Sequence, residues 1–310
     1  MADALTTTAQ VDPAVAIMYD RVLLDAAKPA LVHEKFAQSR PLAKKSGNTI
    51  KFRRYANLTV AKTPLTEGVT PNGQLLSKTD LTAKISWYGD FVHITDVVDQ
   101  TVEDEDWVVA AEKLGFQAGE TRDELIRDIL AACASSTNAS SGSNGDTPTE
   151  LTKADIDAVV KTLLGYNAKR MAPQIDASAK IGTGPIRKAY WGIIDADLVD
   201  DIEDVSGFKE ISEYAGQNGV MEDEWGNTGN VRWLMTSKGY VSSSTYSLPI
   251  FGENAFAVTD LDGAAMSNIR KDYGHGDDPL NQRATSGWKM AFVARILNDE
   301  FMHILKVTHS

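Results

Sequence analysis

Two short acidic runs are the places where residue type and spacing in this chain could do chemistry. Trp191-Gly192-Ile193-Ile194-Asp195-Ala196-Asp197 is an apolar strand ending in Asp-x-Asp. In a metal-dependent transferase, two such carboxylates hold a divalent cation through oxygen ligands, and Asp200 and Asp201 could add more. A solvated strand-to-helix turn has the same composition, and no glycine-rich phosphate turn precedes this one. Gly274-His275-Gly276-Asp277-Asp278 offers imidazole and carboxylate groups, but five adjacent residues wrap one ion poorly, so a flexible acidic loop is expected. His33, His93, His303 and His309 show no metal-ligand spacing, none is paired in sequence with a nucleophile, and Gly-x-Ser-x-Gly is absent. The single cysteine, Cys133, excludes an intrachain disulfide and a cysteine-based zinc cluster. The expectation is therefore a protein without catalytic residues, cofactor or metal, and not an enzyme.

Composition narrows the class further. With 43% hydrophobic and 24% charged residues the chain resembles an ordinary globular protein, which argues against wholesale disorder. No apolar run approaches the ~20 residues that span a bilayer. Met1-Ala2-Asp3-Ala4-Leu5-Thr6-Thr7-Thr8 has no basic and apolar secretory signal, so folding in a reducing cytoplasm without a membrane is expected. The net charge of −12 opposes a role in coating nucleic acid. That charge is uneven. Arg40, Lys44, Lys45, Lys51, Arg53, Arg54 and Lys62 form a stretch with no acid, whereas Asp195 to Glu224 holds eleven acids and one lysine, Lys209. Oppositely charged regions of one chain can attract head to tail between copies.

The elements that would position these residues are uneven too. The first forty residues suggest an arm, with a short amphipathic helix over 14–27 after Asp12-Pro13. Thr49 to Tyr55 alternates as a strand with Ile50 and Phe52 on one face. Leu81 to Tyr88 and Phe91 to Thr95 return as strands, after a loop broken by Pro64, Gly68, Pro71 and Gly73. A two-stranded ribbon is marginal alone in water, so a neighbouring subunit is the natural cover. A long helix is expected over 104–134, with Trp107, Ala111, Leu114, Ala118, Leu125, Ile129 and Ala132 as its apolar stripe and Glu103 to Asp106 at its start. Gly115 and Gly119 could bend it. A Ser/Asn/Gly loop leads to a second helix opened by a capping box at Thr152 and Asp155. From Pro173 a mixed domain of short strands follows. A final hairpin is expected from Trp288–Leu297 and Phe301–Val307 across Asn298-Asp299-Glu300.

Several of these stretches resemble the major capsid proteins of tailed bacteriophages with the Hong Kong 97 fold, in particular the family of the N-four-like podophages. Gly47-Asn48-Thr49-Ile50-Lys51-Phe52-Arg53-Arg54-Tyr55 resembles the strand into that family's extended loop, and Thr63-Pro64-Leu65-Thr66-Glu67-Gly68-Val69-Thr70-Pro71 its tip. Tyr88-Gly89-Asp90-Phe91-Val92-His93-Ile94-Thr95-Asp96 resembles the return into the spine helix, and Gly287 to Asn298 the closing strands. The resemblance implies an α+β fold with an N-terminal arm (1–47), an extended hairpin loop (48–96), a peripheral domain with the spine helix (97–172), an axial domain (173–278) and terminal strands returning to the peripheral domain (279–310). It implies contacts between subunits through Lys51, Arg53, Arg54, Tyr55, Pro64, Glu67, Gly68, Trp87 and Tyr88, and a core built on Trp107, Leu114, Leu125, Ile129, Trp288 and Phe292. The implied partners are other copies of the chain in hexamers and pentamers, with separate scaffold, portal and possible decoration proteins. The implied shell encloses double-stranded DNA without reading its sequence. An encapsulin-like compartment shares the fold and is the rival reading.

Overall fold

Two sheets share one long helix, and the sequence explains why each forms. A computed structural model describes residue 23 and residues 31–101, 106–176, 185–214, 219–263, 265–274 and 278–309. The expected helix over 14–27 lies outside the described residues, apart from Leu23, as do Glu103, Asp104 and Glu105.

The first sheet is eight-stranded. Its order is β5 (Ser136–Asn138), β15 (Met302–Thr308), β11 (Thr245–Phe251), β6 (Tyr190–Asp195), β9 (Val231–Thr236), β8 (Glu224–Thr228) and β7 (Phe208–Glu210), with β10 (Tyr240–Ser242) also on β11. Every residue of β6 is buried, the pattern of a central strand covered on both faces. A Cβ on Gly192 would run into the indole of Trp233 across the β6–β9 pair, so the glycine makes room for the ring. Helix α3 (Lys153–Gly165) lies against this sheet and buries Ile156, Val159, Val160 and Leu163. Its capping box is present as expected, and the Asp155 carboxylate also accepts the amides of Ser140 (2.9 Å) and Gly142 (2.6 Å), which fixes the preceding loop.

The second sheet is built around β14 (Arg283–Ile296), fourteen residues long. One edge carries β12 (Phe256–Asp260) and β13 (Ser267–Lys271) in tandem, with β1 (Gln38–Ser39) parallel to β12. The other edge carries β4 (Ser86–Thr95). The expected terminal hairpin does not form: β14 and β15 belong to different sheets, because a turn of 3-10 helix at Asp299–Phe301 carries the chain from one to the other.

After the short helix α1 (Asp96–Thr101), the spine helix α2 (Asp106–Ala131) has 26 residues, about 39 Å at 1.5 Å per residue. Its buried face meets both sheets in one core. That core includes Leu114, Trp288 and Phe292 as expected. The buried apolar side chains of the helix are Ala111, Leu114, Ala118, Ile126 and Leu130, so Leu125 and Ile129 flank the stripe half-buried instead of leading it. The cause is Arg122, which occupies the stripe between Ala118 and Ile126. It bonds Glu34 and both oxygens of Asp260 (2.8 and 2.9 Å) with its guanidinium 4.6 Å over Phe292. Burial works against its charge, but these carboxylates raise its pKa. Trp107 is also corrected. It is half-buried, with the Arg270 guanidinium 4.1 Å above its ring, and not sealed against the sheet. Gly115 does not interrupt the helix; a Cβ there would strike the backbone of Leu23.

The described part of the arm clasps its own subunit. Asp123 on the spine accepts the amides of Val32 (2.9 Å) and His33 (2.8 Å) and the His33 ring nitrogen Nδ1 (2.7 Å), all buried. Phe36 stands between Trp191 and Phe251, ring centroids 5.2 and 5.1 Å away. Val32, Phe36 and Ala37 therefore pack into the core of their own subunit, and Leu42 packs at the base of the ribbon described below.

Candidate assembly surface

The ribbon expected from the sequence is present as β2 (Thr49–Tyr55) paired antiparallel along its whole length with β3 (Lys78–Lys84). Only its base has a core: Ile50, Phe52 and Ala83 pack on Ala257, joined by Leu42, Leu81, Val293 and Leu297. Beyond Tyr55 the chain runs through a loop whose Leu58, Val60, Leu65, Val69, Leu75 and Leu76 are all exposed. This is the least covered apolar segment among the described residues. At its tip Val69 N donates to Thr66 O (3.1 Å) and Gly68 has φ +76°. The third residue of a type II turn requires that positive φ, which glycine takes without strain.

The residues expected to touch neighbours are placed as follows. Lys51, Arg53, Arg54, Tyr55, Pro64, Glu67 and Gly68 are exposed on the ribbon and its loop. Two of the arginines have partners within the chain: Arg53 Nε donates to Asp80 Oδ1 across the ribbon (2.8 Å), and Arg54 donates to Asn298 Oδ1. The bond to Asp80 raises the Arg53 pKa and lowers that of Asp80. Trp87 is 54% exposed with the Lys289 ammonium 4.5 Å over its ring, while Tyr88 is half-buried against the core. Sequence reasoning missed Phe91, Val92, Val98 and Val109, which are exposed on or beside the same strand. A signal was present: β4 carries apolar residues on both faces, the pattern of a strand with more than one neighbour.

The residues singled out for chemistry are occupied otherwise. Asp195 Oδ1 accepts the amide of Asp197 (2.9 Å) and its Oδ2 the amide of Gly239 (2.7 Å). Tyr246 donates its hydroxyl to Asp197 (3.0 Å), and His309 Nδ1 meets Asp201 (2.9 Å), whose carboxylate raises the His309 pKa. His303 is buried between Ser135 (2.7 Å) and Thr137 (3.1 Å), and burial lowers its pKa. His93 meets Phe91 edge-on. Burial pushes the Cys133 thiol up to about 11, so it is no nucleophile. Asp278 accepts the Arg283 amide (2.7 Å), while His275, Gly276 and Asp277 lie outside the described residues. Among the described residues, no group of three or more His, Cys, Asp or Glu is placed to hold a metal ion, and no helix is long and apolar enough to cross a membrane.

No protein-family model matches the chain, and no curated protein matches it by sequence. Its architecture does have counterparts among solved structures. The capsid of Ralstonia phage GP4 superposes with a TM-score of 0.65 at 13% identity, over 89% of this chain and 87% of that one. The capsid of cyanophage Pam1 superposes with a TM-score of 0.60 at 14% identity, over 100% and 99%. The SrpI encapsulin of Synechococcus elongatus PCC 7942 superposes with a TM-score of 0.54 at 8% identity, over 100% and 93%. The chain therefore has the α+β, Hong Kong 97-like fold on which these shells are built.

Proposed function

We propose that this chain is a major capsid protein that self-assembles into the icosahedral shell of a tailed phage and encloses its double-stranded DNA. The observation that carries this reading is the ribbon with its apolar loop, which extends past its own core and which no described part of its own subunit covers. A shell supplies the missing cover by repeating the subunit in hexamers and pentamers. The two-sheet body would divide between a peripheral part, built on the spine and the β14 sheet, and an axial part, built on the β6 sheet. Strands β5 and β15 enter the β6 sheet from outside residues 173–278. Placement among the N-four-like podophages rests on the sequence stretches quoted above. Scaffold and portal proteins, and any decoration protein, would be separate chains, and the net charge of −12 would keep the DNA free of tight contacts. The likeness to SrpI encapsulin supports a second reading, a bacterial compartment holding protein cargo.

Electron microscopy of the purified full chain tests the proposal. Closed shells of uniform size are expected, and a chain that stays monomeric throughout the micromolar range would refute assembly. Particles produced in a phage-infected host that hold DNA favour the capsid reading; protein cargo favours the compartment.

A further inference from the structure

An asparagine followed by glycine is prone to react with its own backbone, because a residue without a Cβ neither shields the next amide nor restricts its approach. The chain has three such pairs, Asn72-Gly73, Asn144-Gly145 and Asn218-Gly219. Asn218 lies outside the described residues. The other two pairs have opposite surroundings. Asn72 and Gly73 are exposed in the loop beyond the ribbon, and among the described residues none hydrogen-bonds to either. The nearest ties on the two sides are the bond from Val69 N to Thr66 O (3.1 Å) and the Gln74 side chain, which holds both backbone groups of Thr59 (2.8 and 2.7 Å). A Cβ on Gly73 would meet nothing within 4 Å, and its φ lies outside the left-handed region.

At Asn144-Gly145 both reacting groups are held. Asn144 Oδ1 accepts the amide of Asn138 (2.9 Å), and the Gly145 amide donates back to Asn138 O (3.5 Å). The Asn138 side chain also donates to Gly145 O (2.9 Å), and a Cβ on Gly145 would lie 2.8 Å from that of Ser140. Reaction there requires the Gly145 nitrogen to leave its acceptor and turn onto the Asn144 side-chain carbon. Displacing reacting atoms by an ångström can cost about 100-fold in rate. The same dipeptide is thus free in one loop and clamped in the other.

We propose that Asn72 is a site of spontaneous covalent modification, deamidating to aspartate and isoaspartate in the free subunit while Asn144 is spared. The Gly73 amide nitrogen, having lost its proton to hydroxide, attacks Asn72 Cγ. The new N–Cγ bond closes a five-membered succinimide as the side-chain nitrogen departs, regaining a proton to leave as ammonia. Water then adds to one of the two ring carbonyl carbons and breaks its bond to the ring nitrogen. Opening at Cγ gives aspartate, and opening at the backbone carbonyl carbon gives isoaspartate. Water is the only co-reactant consumed, and nothing is oxidised or reduced. Residues 56–77 hold one lysine, Lys62, and one acid, Glu67, so the conversion turns a neutral loop negative.

Peptide mapping by mass spectrometry tests this on the full chain, held dilute and unassembled at pH 8. The peptide containing Asn72 should accumulate two isomeric products in which oxygen replaces the amide nitrogen, roughly tenfold or more faster than the peptide containing Asn144. Lowering the pH to 6 should slow the reaction, because the attacking amide must first lose its proton. Gly73→Ala fits the open space around that residue, so it should leave the thermal midpoint near that of the unmodified chain and slow modification of Asn72 severalfold. Equal rates at Asn72 and Asn144, or an unchanged rate in Gly73→Ala, would overturn the proposal. So would an Asn72 still intact after the time in which a free peptide of residues 69–76 reacts, since the loop would then hold its asparagine as firmly as the clamped pair.

Discussion

Tyr190-Trp191-Gly192 in β6 and Trp87-Tyr88-Gly89 in β4 have the same composition and opposite surroundings. In β6 both aromatics are buried, the strand is paired on both edges, and Arg232 lies 4.6 Å over the Trp191 ring. In β4 Trp87 is more than half exposed, one edge is open, and only Ile94 of the ten residues is buried. Residue type does not distinguish the two strands; their neighbours do. The β6 sheet completes itself within one chain, whereas the β4 edge and the ribbon loop leave apolar surface that only another molecule can cover. Fold stability should therefore reside in the first region and assembly in the second.

That division can be broken at several strengths. The largest effect is expected at Arg232, whose guanidinium forms a fully buried pair with Glu224 (2.6 and 2.5 Å) and also donates to Gly219 O (2.7 Å). Arg232→Met strands the carboxylate and should cost about 3–5 kcal/mol in chemical denaturation. The double variant Arg232→Met with Glu224→Leu should recover much of that loss, and equal losses would show that the charge is not the cause. Next comes Asp123→Ala, which deprives the Val32 and His33 amides of their acceptor and should cost roughly 2–3 kcal/mol. Protease cleavage should then appear between residues 31 and 37 before the core opens. Half-buried Trp107 is expected to matter less. Trp107→Ala should cost about 1–2 kcal/mol, from partial burial and the lost stacking on Arg270.

On the assembly side, the sign of the comparison reverses. Arg53→Glu with Arg54→Glu should leave the thermal midpoint of the subunit close to that of the unmodified chain, because both side chains are exposed on the ribbon. Assembly should fail or slow severely in light scattering. Particles forming at the normal rate would remove the basic stretch from the interface, whereas unfolding would return the ribbon to the self-sufficient region.

The smallest effects concern two histidines of opposite sign. Buried His303 has a folded pKa below its unfolded value of about 6.5, so acidification below that value protonates the unfolded chain preferentially and lowers stability. Exposed His309 has its pKa raised by Asp201, with Asp197 and Asp200 nearby. Its contribution is complete below about 6.5 and is lost as pH rises through the higher folded value. Stability measured at pH 5.5 and pH 8 should show His303→Gln reducing the acid loss and His309→Gln erasing a small advantage present only at the lower pH. A pH-independent His309→Gln effect would assign that side chain to packing alone.

Local pattern was enough to read the ribbon, the second helix with its capping box, the long spine and the glycine turn at Gly68. Each of these depends on residues close in sequence: alternation, three- and four-residue steps, or a turn that needs positive φ. The resemblance carried by the loop and closing strands pointed to the fold now found. Tertiary structure alone decided what lay beyond that range. Arg122 is a surface residue by type, yet Glu34 and Asp260, far away in sequence, draw it into the spine's buried stripe and turn Ile126 and Leu130 inward in place of Leu125 and Ile129. Residues 31–37 lack the length for a core of their own, and Asp123, Trp191 and Phe251 supply one. The last two strands look like a hairpin because they are adjacent, but each finds its partners in a different sheet. Sequence alone determined the elements and their approximate ends, because hydrophobic periodicity and turn chemistry act over a few residues. Which surfaces were closed and which were left open depended on contacts between residues far apart in the chain, such as Glu34 with Arg122 and Arg122 with Asp260.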